Sequence, residues 1–166
     1  MASGATKVMA FTLLILNLLM YVIVTIIAGW AINYGIEHTP TTVPIPAHIF
    51  PIYFPIGNMA TGFFVIVSLI AGLVGIATSV SGIGNVLQWN LSNLLSSASS
   101  SILTWSLTLL AMGLACKEIN IGWRDANLRT MEVLTIILSG TQLFYMGTIH
   151  AGLTNVIGLQ RSGGTV

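Results

Sequence analysis

Charged residues are scarce in this chain. Its 166 residues include five Lys or Arg and four Asp or Glu, so charged residues make up 5%, whereas an ordinary soluble domain has roughly 25%. No charged side chain occurs between Glu37 and Lys117. A soluble fold with so little charge would precipitate. This scarcity excludes an ordinary soluble domain and predicts a membrane protein.

Cysteine and basic runs are also almost absent. Cys116 is the single cysteine, so an intramolecular disulfide is excluded and helix packing must hold the fold together. The formal net charge is +1 and no cluster of basic residues occurs. Nucleic acid is therefore not expected as a partner.

Long apolar runs take the place of charge. Four of them, at 8–32, 59–78, 94–115 and 131–152, reach the roughly 20 residues that a helix needs to cross a bilayer. The first run exceeds the roughly 7–15 apolar residues of a signal peptide, so we expect it to remain in the protein. The chain is predicted to be a single all-α membrane domain over 1–166, with four transmembrane helices in a bundle.

The connection between the first two runs, residues 33–58, carries all the prolines of the chain. They are Pro40, Pro44, Pro46, Pro51 and Pro55. Proline removes a backbone donor and keeps the preceding residue extended, so no regular helix is expected there. The segment is too apolar to extend into water. It is predicted to be a flap at the membrane surface, either an interfacial anchor or a lid over a ligand.

The second run contains small residues at intervals of mostly three and four. They are Ser68, Ala71, Gly72, Gly75 and Ser79. Small side chains allow helices to approach closely, and lipid gives no hydrophobic drive for helix association. These residues are predicted to form a helix-packing face near the centre of the bundle. The uncharged segment 80–93 that follows, with several glycines and asparagines, is expected to be the connection to the third run.

Polar residues recur on the third and fourth runs. In LLSSASSSILTW, Ser97, Ser101 and Thr104 share one side of a helix, and the fourth run carries Gln142 and Tyr145. An amide in hydrocarbon needs partners, and a hydroxyl of the third run is the expected one. These residues are interpreted either as packing contacts or as the lining of a substrate pathway, with Lys117 or Arg129 attracting an anion.

Charge is concentrated between the third and fourth runs. Residues 116–132 hold three basic and three acidic side chains: Lys117, Glu118, Arg124, Asp125, Arg129 and Glu132. The segment is predicted to be a solvated, self-paired loop. Arg124 and Arg129 with Glu132 form the alternative, a fork that binds a carboxylate.

No catalytic or metal-binding pattern stands out. The histidines, His38, His48 and His150, are scattered, and there is no HxxxH, CxxC or paired-carboxylate spacing. We expect no enzyme, no metal site and no cofactor.

CKEINIG, followed by LRTMEVLTIILSGTQLFYMGTIHAGL, together with LLILNLLMYVIVTIIAGWAIN and SSILTWSLTLLAMGLACKEI, resembles a plant family. It is similar to the abscisic-acid-induced plasma membrane polypeptides first named from wheat, the PM-nineteen-like family. The resemblance covers all four runs. It implies a plasma membrane tetraspan with cytosolic termini, linked to abscisic acid and dehydration stress.

For some members the family also implies facilitated uptake of abscisic acid. The expected partners are the lipid bilayer, abscisic acid and further copies of the chain, because four spans are few for a monomeric carrier. The alternative function is a structural or stress-protective tetraspan that self-associates or holds partners without transport.

Overall fold

The computed structural model describes residues 2–42 and 54–163, and these ranges contain four helices and no strand. Helix α1 is Ala2–His38, α2 is Thr61–Gln88, α3 is Leu91–Ile121 and α4 is Ala126–Gly163. All four are long and apolar enough to cross a membrane. The predicted all-α class with four membrane-spanning helices is therefore confirmed. Most of the predicted proline-rich flap, residues 43–53, lies outside the described residues.

The helices are longer than the apolar runs that predicted them. The shortest, α2, has 28 residues and the longest, α4, has 38, which correspond to about 42 and 57 Å at a rise of 1.5 Å per residue. A hydrocarbon core is only about 30 Å thick. The helix ends therefore extend beyond the hydrocarbon on each side.

The four helices form an up-down bundle in which each helix packs on its neighbours in sequence and α4 returns to α1. At one end, Lys7 of α1 donates from Nζ to the Leu87 carbonyl near the end of α2, at 2.7 Å. At the other end, Thr61 at the start of α2 meets Glu118 near the end of α3. We call these the N-terminal end and the loop end of the bundle.

The small-residue face of α2 packs against α1. A Cβ atom added at Gly75 would lie 2.5 Å from the ring of Tyr21, and one at Gly72 would collide with the side chain of Thr25. Ser68, Ala71 and Ser79 are also buried. The face predicted for helix packing is therefore occupied by α1 of the same chain.

The connection between α2 and α3 is shorter than the segment 80–93 expected from the sequence. Helix α2 continues to Gln88, and only Trp89 and Asn90 separate it from α3. Gly82 does not mark a turn; a Cβ there would lie 2.9 Å from Leu14 and 3.1 Å from the Tyr145 hydroxyl. Glycine at this position allows close packing inside a helix.

The two residues of that connection have defined roles. Trp89 turns the chain with a left-handed backbone conformation, φ 43°. The side chain of Asn90 accepts a hydrogen bond of 2.9 Å from the backbone NH of Asn93. Asn90 is thus the N-cap of α3, since its amide oxygen satisfies one of the free donors of the first turn.

Helix α1 extends past the predicted boundary at residue 32. Its last turns are stabilised by a 2.8 Å hydrogen bond from Asn33 to Glu37 and by stacking of Tyr34 on His38, with ring centroids 3.9 Å apart. The helix ends just before Pro40, which disfavours helical geometry in the residue before it.

The part of the first connection just before α2, from Phe54 onward, packs against the bundle. Phe54 and Ile56 are buried in the core of the loop end. The Ile56 carbonyl also accepts a 2.9 Å hydrogen bond from the backbone NH of Asp125, immediately before α4. This segment therefore covers the turn between α3 and α4.

Candidate functional site

The bundle has a largely apolar exterior, and polar side chains are buried among the apolar ones inside it. Large apolar side chains such as Leu19, Leu103 and Phe144 point outward. The buried polar residues in the described helices are Asn17, Thr61, Ser68, Ser79, Ser97, Ser101, Thr104, Thr108, Glu118, Glu132, Thr135, Ser139, Gln142 and Thr148. In a bilayer such groups face other helices or a water-filled cavity and need internal partners. The buried polar side chains therefore make the interior the candidate functional site.

One face of α3 organises this interior. It presents Ser97, Ser101, Thr104 and Thr108, then two alanines, and then Glu118, all of them buried. Ser97 and Glu118 are about 31 Å apart along the helix at 1.5 Å per residue, close to the thickness of a hydrocarbon core. We call this face, with its hydrogen-bond partners on the other helices, the polar column.

At the N-terminal end the polar column is uncharged. Asn85 of α2 donates from Nδ2 to the Ser97 hydroxyl at 3.1 Å. The Tyr145 hydroxyl of α4 also interacts with the Ser97 side chain. Three helices therefore meet at one serine.

The middle of the column is also uncharged. The Thr104 hydroxyl lies 2.9 Å from both the Thr78 hydroxyl of α2 and the Ser100 carbonyl of its own helix. One turn further, the hydroxyls of Thr108 and Tyr21 are 2.7 Å apart, which ties α3 to α1 across the bundle. Hydroxyl pairs thus link α3 to α2 and to α1 at the centre.

Two buried polar atoms near the middle have no hydrogen-bond partner among the described residues. Asn17 of α1 donates from Nδ2 to Oε1 of Gln142 at 2.9 Å, but its own Oδ1 is unpaired. The expected partner of Gln142, a hydroxyl of the third run, was therefore wrong, because α1 packs against α4 and supplies an amide. The Ser68 hydroxyl is unpaired as well. Helices α2 and α3 run antiparallel, with Thr78 beside Thr104 and Thr61 beside Glu118. Ser68 therefore lies at a level between Thr108 and Glu118. Unpaired buried polar groups are uncommon and call for an explanation.

The loop end of the column carries charge. The Thr61 hydroxyl donates to Oε1 of Glu118 at 2.5 Å, and Oε2 of Glu118 has no hydrogen-bond partner in the described part of the chain. Nε of Arg124 lies 2.6 Å from Oε1 and 2.8 Å from Oε2 of Glu132. We call Thr61, Glu118, Arg124 and Glu132 the carboxyl cluster.

Local backbone geometry holds this cluster in place. Gly122, with φ 117°, ends α3 and turns the chain so that Nη1 of Arg124 donates to the Gly122 carbonyl at 2.9 Å. Asn58 reaches across from the first connection and donates from Nδ2 to the Glu118 carbonyl at 3.1 Å. A side chain at Gly57 would collide with Thr61. The approach of the two connections therefore depends on glycine at both positions.

The structure separates the predicted pathway residues into two groups. Ser97, Ser101, Thr104, Gln142 and Tyr145 are all buried and belong to the polar column or adjoin it. Lys117 and Arg129 are exposed near the loop end. The predicted cations therefore do not line the interior.

The predicted carboxylate fork is not formed. Arg124 is paired with Glu132, which is almost completely buried, while Arg129 is exposed. The expectation that residues 116–132 form a solvated loop was also wrong for Glu118 and Glu132, because helix continues through Ile121 and starts again at Ala126. Both glutamates consequently face the bundle.

Sequence reasoning missed Asn17 and Tyr21. Both lie in the longest apolar run, and an amide at the centre of such a run is itself a signal of an interhelical contact. The burial of Glu118 had a signal too, because it continues the three- and four-residue spacing of the hydroxyls along α3. Proximity to five other charged residues concealed it.

Several grooves open on the outside of the described helices, and two of them are relevant to function. One, of about 590 Å³, lies between the start of α1 and the second half of α4 and is bordered by Met9, Phe144, Gly147 and Ala151. The other, of about 360 Å³, lies at the loop end between α2 and α3 and is bordered by Met59, Phe63, Leu114, Ile121 and Lys117. Both are almost wholly apolar, apart from the Lys117 ammonium.

No group of three or more His, Cys, Asp or Glu side chains that could hold a metal ion occurs within residues 2–42 and 54–163. The polar side chains that the described interior presents are hydroxyls, amides, carboxyls and the guanidinium of Arg124.

These features define a class of protein: a multi-pass helical membrane protein with polar side chains buried between its helices. The chain belongs to the AWPM-19-like family, whose sequence profile matches residues 15–152. It is 40% identical over 152 residues to Membrane protein PM19L of Oryza sativa subsp. japonica, an alignment that covers 91% of this chain and 82% of the rice protein. No solved structure shows significant similarity to this chain.

Proposed function

We propose that this protein facilitates the passage of a small apolar weak acid across the plant plasma membrane, and that abscisic acid, which the family resemblance implies, is the substrate. The observation that carries the proposal is the polar column. It extends over a distance close to the thickness of the hydrocarbon core inside a bundle with an apolar exterior. Polar groups at that depth are costly, and they mark substrate or ion pathways in membrane proteins.

The chemistry of the column suits an uncharged acid. Between Ser97 and Thr108 its side chains are hydroxyls and amides, which can exchange hydrogen bonds with a protonated carboxyl or a ketone. A carboxylate anion would lack a counter-ion there. The two unpaired atoms, Asn17 Oδ1 and Ser68 Oγ, are suitable acceptors for the first substrate hydroxyls to enter.

Lys117 has a separate role in this proposal. It borders the groove at the loop end, where the other walls are apolar. A weak acid that arrives as an anion would place its carboxylate on the ammonium and its rings on Phe63 and Leu114. The cation then acts at the surface, before the acid is protonated and enters the column.

A structural role without transport is the second candidate. Its support is that Ser97, Ser101 and Thr104 already have hydrogen-bond partners inside the protein, as expected of packing contacts. The groove beside Gly147 and Ala151 offers close approach to a second copy, since a Cβ at Gly147 would meet nothing within 4 Å. Under this candidate, Gly147→Leu reduces the yield of oligomers that chemical cross-linking captures. Gly113→Leu is the control, because a Cβ there also meets nothing within 4 Å, and it should leave that yield unchanged.

We also propose that both termini are cytosolic and that the loop end faces outward. Four spans put the termini on one side. In right-side-out vesicles and a Cys116→Ser background, a cysteine at Asn127 should react with an impermeant maleimide, and one at Gly4 should not. The reverse pattern would show the opposite orientation.

The function is tested by uptake of labelled abscisic acid into liposomes that contain the purified protein, with and without an inward proton gradient. Protein-free liposomes are essential controls, because the neutral acid crosses lipid unaided. We expect saturable excess uptake, which unlabelled acid competes away and Gln142→Leu reduces at least tenfold. Excess uptake of zero by correctly folded protein would rule out the carrier and leave the structural candidate.

A further inference from the structure

Glu118 is the most completely buried carboxyl described in the structure. It is 0% exposed, although it lies only three residues before the end of α3. Its Oε1 accepts from Thr61, and its Oε2 has no hydrogen-bond partner among the described residues. Helix packing alone does not require a carboxyl here, since an alanine would continue the face formed by Ala111 and Ala115.

The nearby cation does not neutralise Glu118. Arg124 interacts with it only at longer range, because the guanidinium is engaged by Glu132 and by the Gly122 carbonyl. Arg124–Glu132 is the one ion pair within 4.0 Å in the described ranges. With every group ionised, the cluster would carry one excess negative charge in a buried site, which is strongly unfavourable.

The ligands around Glu118 fit a proton better than a metal ion. Ca²⁺ and Mg²⁺ require six or more oxygen ligands, counting water, and Glu118 is joined here by a single hydroxyl. Thr61 also receives a hydrogen bond at Oγ1 from the backbone NH of Asn58, at 2.7 Å. The Thr61 hydroxyl hydrogen is therefore free to point to Oε1 of Glu118, so a proton on the carboxyl belongs on Oε2.

We propose that Glu118 is a proton-binding site of the bundle, with the exchangeable proton on Oε2. The site stands on the geometry above. Its use rests on the function proposed in the preceding subsection: Glu118 gives its proton to the carboxylate of an arriving weak acid, which becomes neutral and enters the column, while Glu118 becomes a carboxylate. A proton from the outer solution then restores it.

The charged surroundings of Glu118 are few. The start of α2 contributes the uncharged Thr61, the turn contributes Arg124, and α4 contributes Glu132. At the end of α1, Glu37 accepts from Asn33, and His38 bonds to the Tyr34 carbonyl on an exposed face. Deprotonation of Glu118 would therefore leave two carboxylates and one guanidinium in the cluster.

The proton is detected by infrared difference spectroscopy of the full-length protein in liposomes during a pH titration. We expect the C=O stretching band of a protonated carboxyl near neutral pH, its loss at higher pH, and a shift of the band when glutamate is labelled with ¹³C. Glu118→Gln removes the band, whereas Asp125→Asn, a change at a partly exposed carboxyl in the same turn, keeps it. Thr61→Val keeps the band but moves its frequency, because the hydrogen bond to Oε1 is lost.

Several outcomes would overturn the proposal. Absence of a ¹³C-sensitive band in wild-type protein would show that Glu118 is ionised, a result that does not depend on whether Glu118→Gln folds. A band that persists in folded Glu118→Gln would assign the proton to another glutamate. If the band is present but Glu118→Gln keeps the full stimulation of uptake by a proton gradient, the proton site stands and its coupling to transport is refuted. Zero uptake by wild-type protein refutes the proposed function and the coupling, and leaves the band as the test of the site.

Discussion

The two ends of the polar column satisfy their buried polar side chains with different chemical groups. At the N-terminal end, Ser97, Asn85 and Tyr145 form a neutral network joining three helices. At the loop end, Thr61, Glu118, Arg124 and Glu132 place two carboxyls and one guanidinium in the bundle. Neutral groups can share their hydrogen bonds with helix carbonyls, as Thr104 and Thr108 do. Buried charges need specific partners, so we expect the loop end to tolerate substitution less well.

The largest expected effect comes from breaking the ion pair at the loop end. Glu132→Gln leaves Arg124 without a counter-charge, and removal of one partner of a buried pair costs about 3–5 kcal/mol. Because the Arg124 side chain is 19% exposed, we expect about 3 kcal/mol of lost unfolding free energy, measured by denaturant titration in micelles. Arg129→Ala, at an exposed residue of the same helix, should change it by no more than about 0.5 kcal/mol. Equal unfolding free energies of the two variants would refute the expectation that the loop end tolerates substitution less well.

Overpacking between α1 and α2 should have the next largest effect. In Gly75→Ala the new Cβ would lie 2.5 Å from the Tyr21 ring, and such insertions cost about 1–3 kcal/mol. Gly140→Ala is the matched control, since a Cβ there meets nothing within 4 Å; it should be neutral or stabilising by up to about 1 kcal/mol. The same denaturant titration measures both. If Gly75→Ala left the unfolding free energy unchanged, α1 and α2 would have to be further apart than the 2.5 Å contact with Tyr21 implies.

Loss of the α3 cap should affect the N-terminal end alone. Asn90→Ala removes the acceptor for the Asn93 NH, at a cost of about 1 kcal/mol. Hydrogen exchange should become faster in the first turn of α3 and stay unchanged in the carboxyl cluster. Asn127→Ala, an exposed asparagine in the first turn of α4, is the control and should change neither region. Faster exchange at both ends would show that the ends are coupled.

The smallest effect is expected at the neutral centre. Tyr21→Phe removes one hydroxyl from the 2.7 Å pair with Thr108, while Thr108 keeps its bond to the Thr104 carbonyl. Interhelical hydrogen bonds of this kind contribute on average about 0.6 kcal/mol and at most about 1.7. A double-mutant cycle with Thr108→Val measures the coupling free energy. A value comparable to that of the ion pair would remove the distinction between neutral and charged parts of the column.

The sequence predicts the helices of this protein well and their ends poorly. Apolar runs locate the four spans because hydrocarbon requires them, but α2 and α4 continue ten or more residues beyond the predicted limits at Thr78 and at residue 152. In α4 only Leu153 and Val156 of the added turns pack on the core, and residues 157–161 are exposed. In α2 the added turns pack against neighbouring helices, since Gly82 and Val86 are buried. Gly82 illustrates this, since its lack of a side chain admits Leu14 rather than forming a turn.

The interior was partly predictable. The spacing of Ser97, Ser101 and Thr104 indicates one face, and Gln142 requires a partner. That this partner is Asn17 could not be derived, because α1 carries no comparable periodic pattern and the choice depends on which helices adjoin. The burial of Glu118 follows from its place on the buried face of α3. The burial of Glu132 also depends on how the chain turns between Ile121 and Ala126, where Gly122 has a positive φ.

Under the proposed function, the inside of the column carries the weak acid, and a hydroxyl elsewhere on α3 does not. The most direct test compares Thr104→Val, which removes a buried hydroxyl, with Ser106→Ala, which removes an exposed one from the same helix, in liposome uptake of labelled abscisic acid. We predict at least a fivefold loss of saturable uptake for Thr104→Val and wild-type uptake for Ser106→Ala, with both proteins folded. Equal uptake by the two variants would contradict the claim.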